Sequence, residues 1–284
     1  NLSGEIKETV EVPIVGSDGE KALQFVYEIL NQLLAKGWEP IIGIGIGTPG
    51  LVNTREGKVV DAVNLDWEDL PLASLLQERY GLPVSVLNDS QATAIGEFVY
   101  GGHRSESNLI VINVKHGIGA GILINGQLFQ GDDGSAGEIG HVRVHGNDLP
   151  CRCGQIGCLE TLASAQAVVR RYNELSDEAQ LVSLDEIEDR FVAGDGIARQ
   201  VVLEAGCSLG EFIGFLSAAL NIQEIILTGD MTRFGEPWLN AVRQAMLQSA
   251  LKRLTQNAQL EVGELDYRAC ILGASAHFLM DGYA

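Results

Sequence analysis

The stretch "GEIGHVRVHGNDLPCRCGQIGCLE", residues 137–160, places three of the chain's five cysteines within eight residues. Cys151, Cys153 and Cys158 follow His141, so one imidazole and three thiols are available as ligands. Structural zinc sites take four nitrogen or sulfur ligands in a tetrahedron, which leaves no open position for water or substrate. The stretch therefore predicts a structural zinc ion that is held by these four residues and shapes the loop.

Two other interpretations of the cysteines remain open. They could be reduced thiols without a metal, although clustered free thiols invite oxidation. A disulfide is the weaker alternative, because one residue separates Cys151 from Cys153 and bridging geometry is then poor. Gly154 and Gly157 fit a loop that needs unusual φ angles and close backbone approach. The remaining cysteines, at 207 and 270, stand in apolar helical contexts and are predicted to be core residues.

Composition excludes several classes of protein. The 284 residues are 46% hydrophobic and 20% charged, which is the balance of a folded globular chain. The net charge of −19 repels phosphate backbones, so this chain alone is a poor nucleic-acid binder. Apolar runs such as "LIVINV" are far shorter than a membrane span, and the polar N-terminus has no signal-peptide pattern. We expect a soluble, cytoplasmic protein with no membrane partner.

The pattern along the chain alternates between strands and helices, which is typical of an α/β fold. The alternation restarts near residue 108 with "NLIVINV", and Asn125-Gly126 has the residues of a type I′ turn. We therefore predict a smaller α/β lobe, 1–107 plus 270–284, and a larger α/β lobe, 108–269, that carries the zinc loop 141–158. Ligands favour clefts between such lobes.

Four stretches resemble one known family in their order and spacing. "GIGTPGLV", "LNDSQATAIGE", "GEIGHVRV" and "CRCGQIGCLE" are similar to the corresponding motifs of the ROK family of sugar kinases and sugar-responsive repressors, and the similarity covers essentially the whole chain. The resemblance implies an actin-like, ribonuclease-H-like fold of two lobes, with a structural zinc loop and a sugar in the interlobe cleft. It also implies that the family's first one or two strands lie before residue 1.

The resemblance also assigns residues to the sugar, which are Asn64, Asn88, Asp89, Glu138, His141 and Glu160. His141 would place one ring nitrogen on zinc and the other toward the sugar. In the family's kinases the aspartate that matches Asp89 is the base that accepts the proton of the sugar hydroxyl. Simpler interpretations stay open: Asn88 and Asp89 as helix caps, Asn64 as a turn residue, Glu138 as an exposed loop charge and Glu160 as a cap.

The nucleotide side departs from the family's kinases. Their N-terminal Asp-x-Gly-x-Thr turn is absent, and "VKHGIGAG" puts Lys115 and His116 where the kinases have a glycine and a hydroxyl residue. Gly117 and Gly119 remain as weak candidates for nucleotide binding, and a plain hairpin turn explains them equally well. Gly229 is a third weak candidate, but the acidic Asp230 follows it and would repel a polyphosphate.

These departures favour a sensor that is not an enzyme. We predict the sugar-binding effector and oligomerisation domain of a repressor of the N-acetylglucosamine or xylose type. It would be a homodimer or homotetramer that contacts DNA only through an N-terminal helix-turn-helix outside this chain. A phosphotransferase-system protein is an alternative signal. Two other hypotheses remain, an ATP-dependent hexose or N-acetylhexosamine kinase that uses Mg-ATP with Asp89 as base, and a zinc-organised interaction module. The sequence does not identify the sugar.

Overall fold

The structure is a computed structural model that describes residues 1, 3–12, 18–103, 107–176 and 181–280. It divides into two compact units. Unit 1 comprises Asn1–Ser105, Gln127–Ala136 and Tyr267–Ala284, and unit 2 comprises Glu106–Gly126 and Gly137–Asp266.

Strands and helices alternate along much of the described chain. The strands are β1 (Ile44–Thr48), β2 (Leu51–Asn53), β3 (Lys58–Ala62), β4 (Trp67–Leu70), β5 (Val84–Asn88), β6 (Asn108–Val114), β7 (Ile118–Ile124), β8 (Gln127–Leu128), β9 (Glu224–Thr228) and β10 (Gln259–Val262). The α-helices are α1 (Gly19–Leu34), α2 (Leu72–Tyr80), α3 (Asp89–Tyr100), α4 (Glu160–Ala163), α5 (Ala165–Leu175), α6 (Leu184–Ala193), α7 (Gly196–Leu220), α8 (Gly235–Ser249), α9 (Lys252–Thr255) and α10 (Arg268–Met280). Short 3-10 helices span Val63–Leu65, Ile139–His141 and Asp230–Phe234.

Unit 1 is built on two small sheets. β1 and β5 pair in parallel, and β2, β3 and β4 form an antiparallel meander. Apolar side chains of the meander, α1 and α2 form one core cluster, in which Val59, Leu72 and Leu76 are fully buried. α3 and α10 cross at glycines: a Cβ on Gly96 or on Gly273 would clash with the backbone of the facing helix. The two helices can therefore approach only because both positions lack a side chain.

Unit 2 is built around strand β6. β9 lies parallel to β6 on one side and β7 antiparallel on the other, and β10 extends the sheet beyond β9. β6 reads as a continuous apolar run because six of its seven residues are buried. Asn125 and Gly126, at the end of β7, both have positive φ angles, as the predicted type I′ turn requires.

The long helix α7 is the one helix in the described part of the chain that is long and apolar enough to cross a membrane. Charged residues, among them Glu204 and Glu211, interrupt its apolar sequence. Half of its apolar window is buried in the protein. Gly206 and Gly210 of α7 lie against α8, where an added Cβ would meet Trp238 and Val242. Packing on α8 thus explains the composition of α7.

The segment Gln127–Ala136 corrects the predicted domain boundaries. The sequence pattern placed it in the larger lobe, 108–269, because it directly follows β7. In the structure it belongs to unit 1. Its Leu128 packs with the core residues Leu87 and Ile95, and the side chain of Gln91 donates hydrogen bonds to its backbone. The other boundaries fall a few residues from the expected positions.

We expect Gly273→Ala to lower the free energy of unfolding by about 1–3 kcal/mol, because the new methyl group would meet the carbonyl oxygen of Ala92. Gly196→Ala is the matched control, since nothing lies within 4 Å of that position and alanine is the better helix former. Urea unfolding of both variants is the measurement. Equal stability of the two variants would contradict the tight α3–α10 crossing.

Candidate functional site

The cysteine loop of unit 2, residues 142–159, is closed by its own backbone. Arg143 pairs with Cys158 and Pro150 pairs with Ile156 in isolated antiparallel bridges. The amide of Leu159 donates to the carbonyl of Val142 at 3.0 Å, which ties the two ends of the loop together. The loop is therefore held in a compact form by hydrogen bonds that do not involve the thiols.

The side chain of Asn147 braces this loop from inside. It is 6% exposed, and its amide nitrogen donates to the carbonyl of Cys158 at 3.0 Å and to Oγ1 of Thr161 at 2.9 Å. Its amide oxygen accepts from the backbone N–H of Leu149 at 3.1 Å. Sequence reasoning missed Asn147, because the hydrogen bonds of a single asparagine in a polar loop have no sequence signal.

The two loop glycines have the backbone conformation that was predicted. Gly154 and Gly157 have φ angles of +84° and +88°. Close approach holds only for Gly157, where a Cβ would clash with the carbonyl oxygen of Asn147, whereas nothing lies within 4 Å of Gly154. Substitution at Gly157 would therefore disturb both the backbone conformation and the loop closure.

The four predicted ligands come together. One ligand atom from each of His141, Cys151, Cys153 and Cys158 lies within 4.8 Å of all the others. The sulfur of Cys151 is 3.6 Å from Nδ1 of His141, and the sulfurs of Cys153 and Cys158 are 3.7 Å apart. Around a tetrahedral zinc ion these distances would be about 3.6 Å and about 3.8 Å. The cluster could thus hold a metal ion, and its spacing fits zinc.

The thiols of the cluster differ in their proton affinity. Burial raises the pKa of Cys151, and a hydrogen bond from its thiol to Oε1 of Glu160, at 2.9 Å, raises it further. Burial also raises the pKa of Cys158. The pKa of Cys153 is lowered despite the opposing effect of burial, because the backbone N–H of Gln155 donates a hydrogen bond that favours the thiolate. Cys153 is therefore the most acidic of the three thiols.

The two cysteines outside the cluster, Cys207 and Cys270, were predicted to be core residues, and they differ in burial. Cys207 was expected in the core but is exposed, because its apolar neighbours on α7 face α8 and Cys207 itself does not. Cys270 is half-buried and packs at the edge of the α3–α10 core cluster. Among the described residues, only the four predicted ligands form a group suited to a metal.

The segment "GEIGH", residues 137–141, lies directly against strand β7. A Cβ on Gly137 would clash with the carbonyl oxygen of Ala120, and one on Gly140 would clash with that of Ile118. The amide of Ala120 donates to the carbonyl of Gly137 at 2.8 Å. Two glycines thus bring the backbone onto β7 on both sides of Glu138, and the 3-10 helix that follows places His141 beside the cysteine loop.

Glu160 connects the cysteine loop to a second turn. It is the first residue of α4 rather than its cap, and its Oε1 is 3.7 Å from Nδ1 of His141. A Cβ on Gly117 would lie 2.9 Å from Oε2 of the same carboxylate. Gly117 belongs to the turn between β6 and β7, so this turn and the cysteine loop meet at Glu160. The structure brings Glu138, His141 and Glu160 into unit 2.

The three candidate glycines for a nucleotide also lie in unit 2. Residues 115–117 form a tight turn between the paired residues Val114 and Ile118, so the hairpin interpretation of "VKHGIGAG" holds for the backbone. Gly119 lies within β7. Gly229 follows β9 with a φ of +95°, and a Cβ there would lie 2.6 Å from the carbonyl oxygen of Val114. The turns after the parallel strands β6 and β9 therefore meet at one sheet edge.

The other predicted sugar residues belong to unit 1. Asn88 caps α3, since its side-chain oxygen accepts from the backbone N–H groups of Ser90 and Gln91. Its amide nitrogen donates to the carbonyl of Gly50 in the "TPG" turn at 2.9 Å. Asp89 is half-buried in the first turn of α3, where the helix dipole favours its negative charge. Asn88 therefore caps α3, and Asp89 is not the capping residue.

Asn64 belongs to a different element of unit 1. It is exposed in the 3-10 helix that joins β3 to β4. Asp66 follows in the left-handed conformation with a φ of 52°, and the indole of Trp67 donates to the carbonyl of Gly19 at 2.8 Å. Asn64 thus lies on a turn, as the simpler interpretation predicted.

These features define a class of protein. The two α/β units and the five-stranded sheet, in which β6, β9 and β10 are parallel and β7 is antiparallel, form the actin-like, ribonuclease-H-like fold that solved structures match. Over residues 1–280 the chain matches the ROK family. The chain belongs to the ROK family.

Relatives in this family include both regulators and enzymes. The xylose repressor of Caldicellulosiruptor bescii is 33% identical over 281 residues, which cover 94% of this chain and 70% of the repressor. The glucokinase of Halalkalibacterium halodurans is 32% identical over 288 residues, which cover 95% of this chain and 87% of the glucokinase. Sequence identity therefore does not separate a repressor from a kinase.

Solved structures give the same result. A ROK family glucokinase from Streptomyces griseus, in complex with glucose and AMPPNP, has a TM-score of 0.87 and 27% identity, with 98% of this chain and 93% of that chain covered. A ROK family transcriptional regulator, a homolog of the E. coli MLC protein, has a TM-score of 0.85 and 29% identity, with 96% and 72% covered. The backbone is thus common to both activities.

We expect Cys153→Ser to remove most of the bound metal and to lower the free energy of unfolding by several kcal/mol, because binding at a closed structural site stabilises the folded state. Cys207→Ser is the matched control, since Cys207 is exposed and lies outside the cluster. Metal content by mass spectrometry and thermal unfolding of the three proteins are the measurements. A wild-type protein without metal, or a Cys153→Ser variant with full metal content, would rule out the site.

Proposed function

We propose that this chain is the sugar-binding effector and oligomerisation part of a cytoplasmic ROK-family repressor. His141, Cys151, Cys153 and Cys158 would hold a structural zinc ion. A hexose or hexose derivative would stabilise one conformation of a homodimer or homotetramer and so change operator affinity. DNA would be contacted by a helix-turn-helix segment outside this acidic chain, because a net charge of −19 disfavours direct binding to phosphates.

The observation that carries this proposal is the residue content of the two turns after β6 and β9, which meet at one edge of the sheet in unit 2. A nucleotide at this edge would have to approach the backbone of the turns after β6 and β9. The first turn contains Lys115 and the exposed His116, whose side chains occupy space that glycine would leave free. In the second turn Asp230 directly follows Gly229 and adds a negative charge. Bulk in one turn and negative charge in the other disfavour a polyphosphate.

Sugar recognition would use several of the residues that the resemblance assigns. Glu138 and Glu160 are acceptors for sugar hydroxyl groups, and His141 would face zinc through Nδ1, the ring atom near Cys151. Asp89 would accept a hydrogen bond from a sugar hydroxyl. The amide of Asn88 is already bonded to α3 and to Gly50, so we assign it mainly to holding Asp89 in place. Asn64 stays a proposed contact on the strength of the resemblance alone.

A sugar kinase is the second candidate, and one observation favours it. Asp89, the residue that would act as base, is retained at the N-terminus of α3 with a half-buried carboxylate. The glucokinase relative also covers nearly the whole chain. In this case the turns that carry Gly117, Gly119 and Gly229 would bind Mg-ATP despite their substitutions, and Asp89 would take the proton from the attacking sugar hydroxyl.

The test is an assay of ADP release with Mg-ATP and a panel of glucose, N-acetylglucosamine, mannose, xylose and their phosphates, on the complete gene product. We expect no turnover, together with thermal stabilisation by at least one member of the panel. Turnover with any sugar would establish the kinase instead. A protein that neither turns over nor binds any sugar, and that loses binding to a partner protein when metal is removed, would be an interaction module; a phosphotransferase-system protein is the first partner to try.

We expect Glu138→Gln to weaken binding of the stabilising sugar by roughly 10-fold, because a charged acceptor contributes about twice the hydrogen-bond strength of a neutral one. The fold should stay intact, since the substitution keeps the shape of the side chain. Glu211→Gln, on the exposed face of α7, is the control with the same change of charge. Isothermal titration of the three proteins measures the effect, and an unchanged affinity would remove Glu138 from the site.

A further inference from the structure

We propose that Gln91 is a positioning residue for Glu138, so that it sets sugar affinity without touching the sugar. This inference rests on the proposed function, because Glu138 is a ligand residue only if a sugar binds. It starts from a buried polar side chain on α3 that the assignment of sugar residues did not use.

Gln91 holds the backbone of the segment 127–136. The side chain is 1% exposed, and its Nε2 donates to the carbonyl of Gly134 at 2.8 Å and to the carbonyl of Ala136 at 3.1 Å. Both N–H bonds of the amide are thereby used, and its Oε1 has no hydrogen-bond partner among the described residues. A buried amide whose two donors meet two carbonyls of one segment fixes the path of that segment.

A second contact holds the segment independently. Gly134 has a φ of +90°, and a Cβ there would lie 2.8 Å from the carbonyl oxygen of Val52 and 3.2 Å from the amide of Thr54. The segment is therefore pressed against the end of β2 while Gln91 binds it from α3. Gln91 lies two residues after Asp89, so the helix turn that carries Asp89 also carries this clamp.

Glu138 follows the clamped segment after a single residue. The carbonyl of Ala136 is bound by Gln91 in unit 1, and the carbonyl of Gly137 accepts from Ala120 in unit 2. Gly137 has a φ of +109°, a conformation that favours glycine. Adjacent peptide groups are thus anchored in different units, and Glu138 comes next. Without the hydrogen bonds of Gln91, the backbone just before Glu138 would be held at one point fewer. The carboxylate of Glu138 would then sample more positions.

The test is sugar affinity in Gln91→Leu, which removes both donors and puts an apolar side chain of similar volume in the buried position. We expect the dissociation constant of the stabilising sugar to rise at least 10-fold, with faster hydrogen exchange of the Ala136 amide, which is bonded to Gln130. Ser85→Ala is the matched control. It removes another side-chain bond of unit 1, the 2.8 Å contact of Ser85 with His277, and should leave the sugar dissociation constant within 2-fold of wild type.

A merely structural role for Gln91 would lower the unfolding temperature of Gln91→Leu but leave the sugar affinity of the folded protein unchanged, and that result would overturn the proposal. Gly134→Ala displaces the segment while Gln91 stays intact, so it should raise the dissociation constant of the sugar by a similar factor. It is the test variant if Gln91→Leu does not fold. An unchanged affinity in Gly134→Ala would also overturn it. A wild-type protein that binds no sugar would overturn the proposed function, and this inference with it.

Discussion

The close approach of residues 137–141 to strand β7 is the constraint on which the candidate site depends. Gly137 and Gly140 have no room for a side chain, so the backbone lies on β7 at both positions. β7 in turn is fixed by its full antiparallel pairing with the buried strand β6. The sheet of unit 2 thereby fixes the backbone on both sides of Glu138 and the place where His141 meets the cysteine loop. A side chain at either glycine would move both residues together.

The same sheet explains why repressors and kinases can share this backbone. Parallel strands end at one edge, and the turns after β6 and β9 meet there whatever residues they contain. Nucleotide chemistry therefore depends on the side chains of a few turn residues rather than on the fold. Lys115, His116 and Asp230 change the bulk and charge of that edge without altering the hydrogen bonds of the strands.

The parts of the site that were predictable from sequence are those determined by local chemistry. Three thiols in one short loop and a histidine ten residues before them define a ligand set by residue type and spacing, and the structure brings these four together. Asn147 and Gln91 were not predictable, because their roles come from hydrogen bonds to backbone groups that no pattern marks. The segment 127–136 was misplaced for a related reason: it follows β7 in sequence, but its partners at Gln91 lie more than 40 residues earlier.

The geometry of His141 suggests why a structural metal would lie beside a sugar site. Asn147 and the backbone bridges also hold the cysteine loop together. What a metal on Nδ1 would add is a fixed tautomer, since the neutral imidazole must then carry its hydrogen on Nε2. His141 would become an obligatory donor at Nε2, whereas Glu138 and Glu160 are acceptors when ionised. A sugar hydroxyl both donates and accepts, so one fixed donor beside two acceptors imposes a direction on the hydroxyl hydrogen bonds. Without the metal, Nε2 of the neutral imidazole could carry either a hydrogen or a lone pair. The fixed direction of the hydroxyl hydrogen bonds would then be lost.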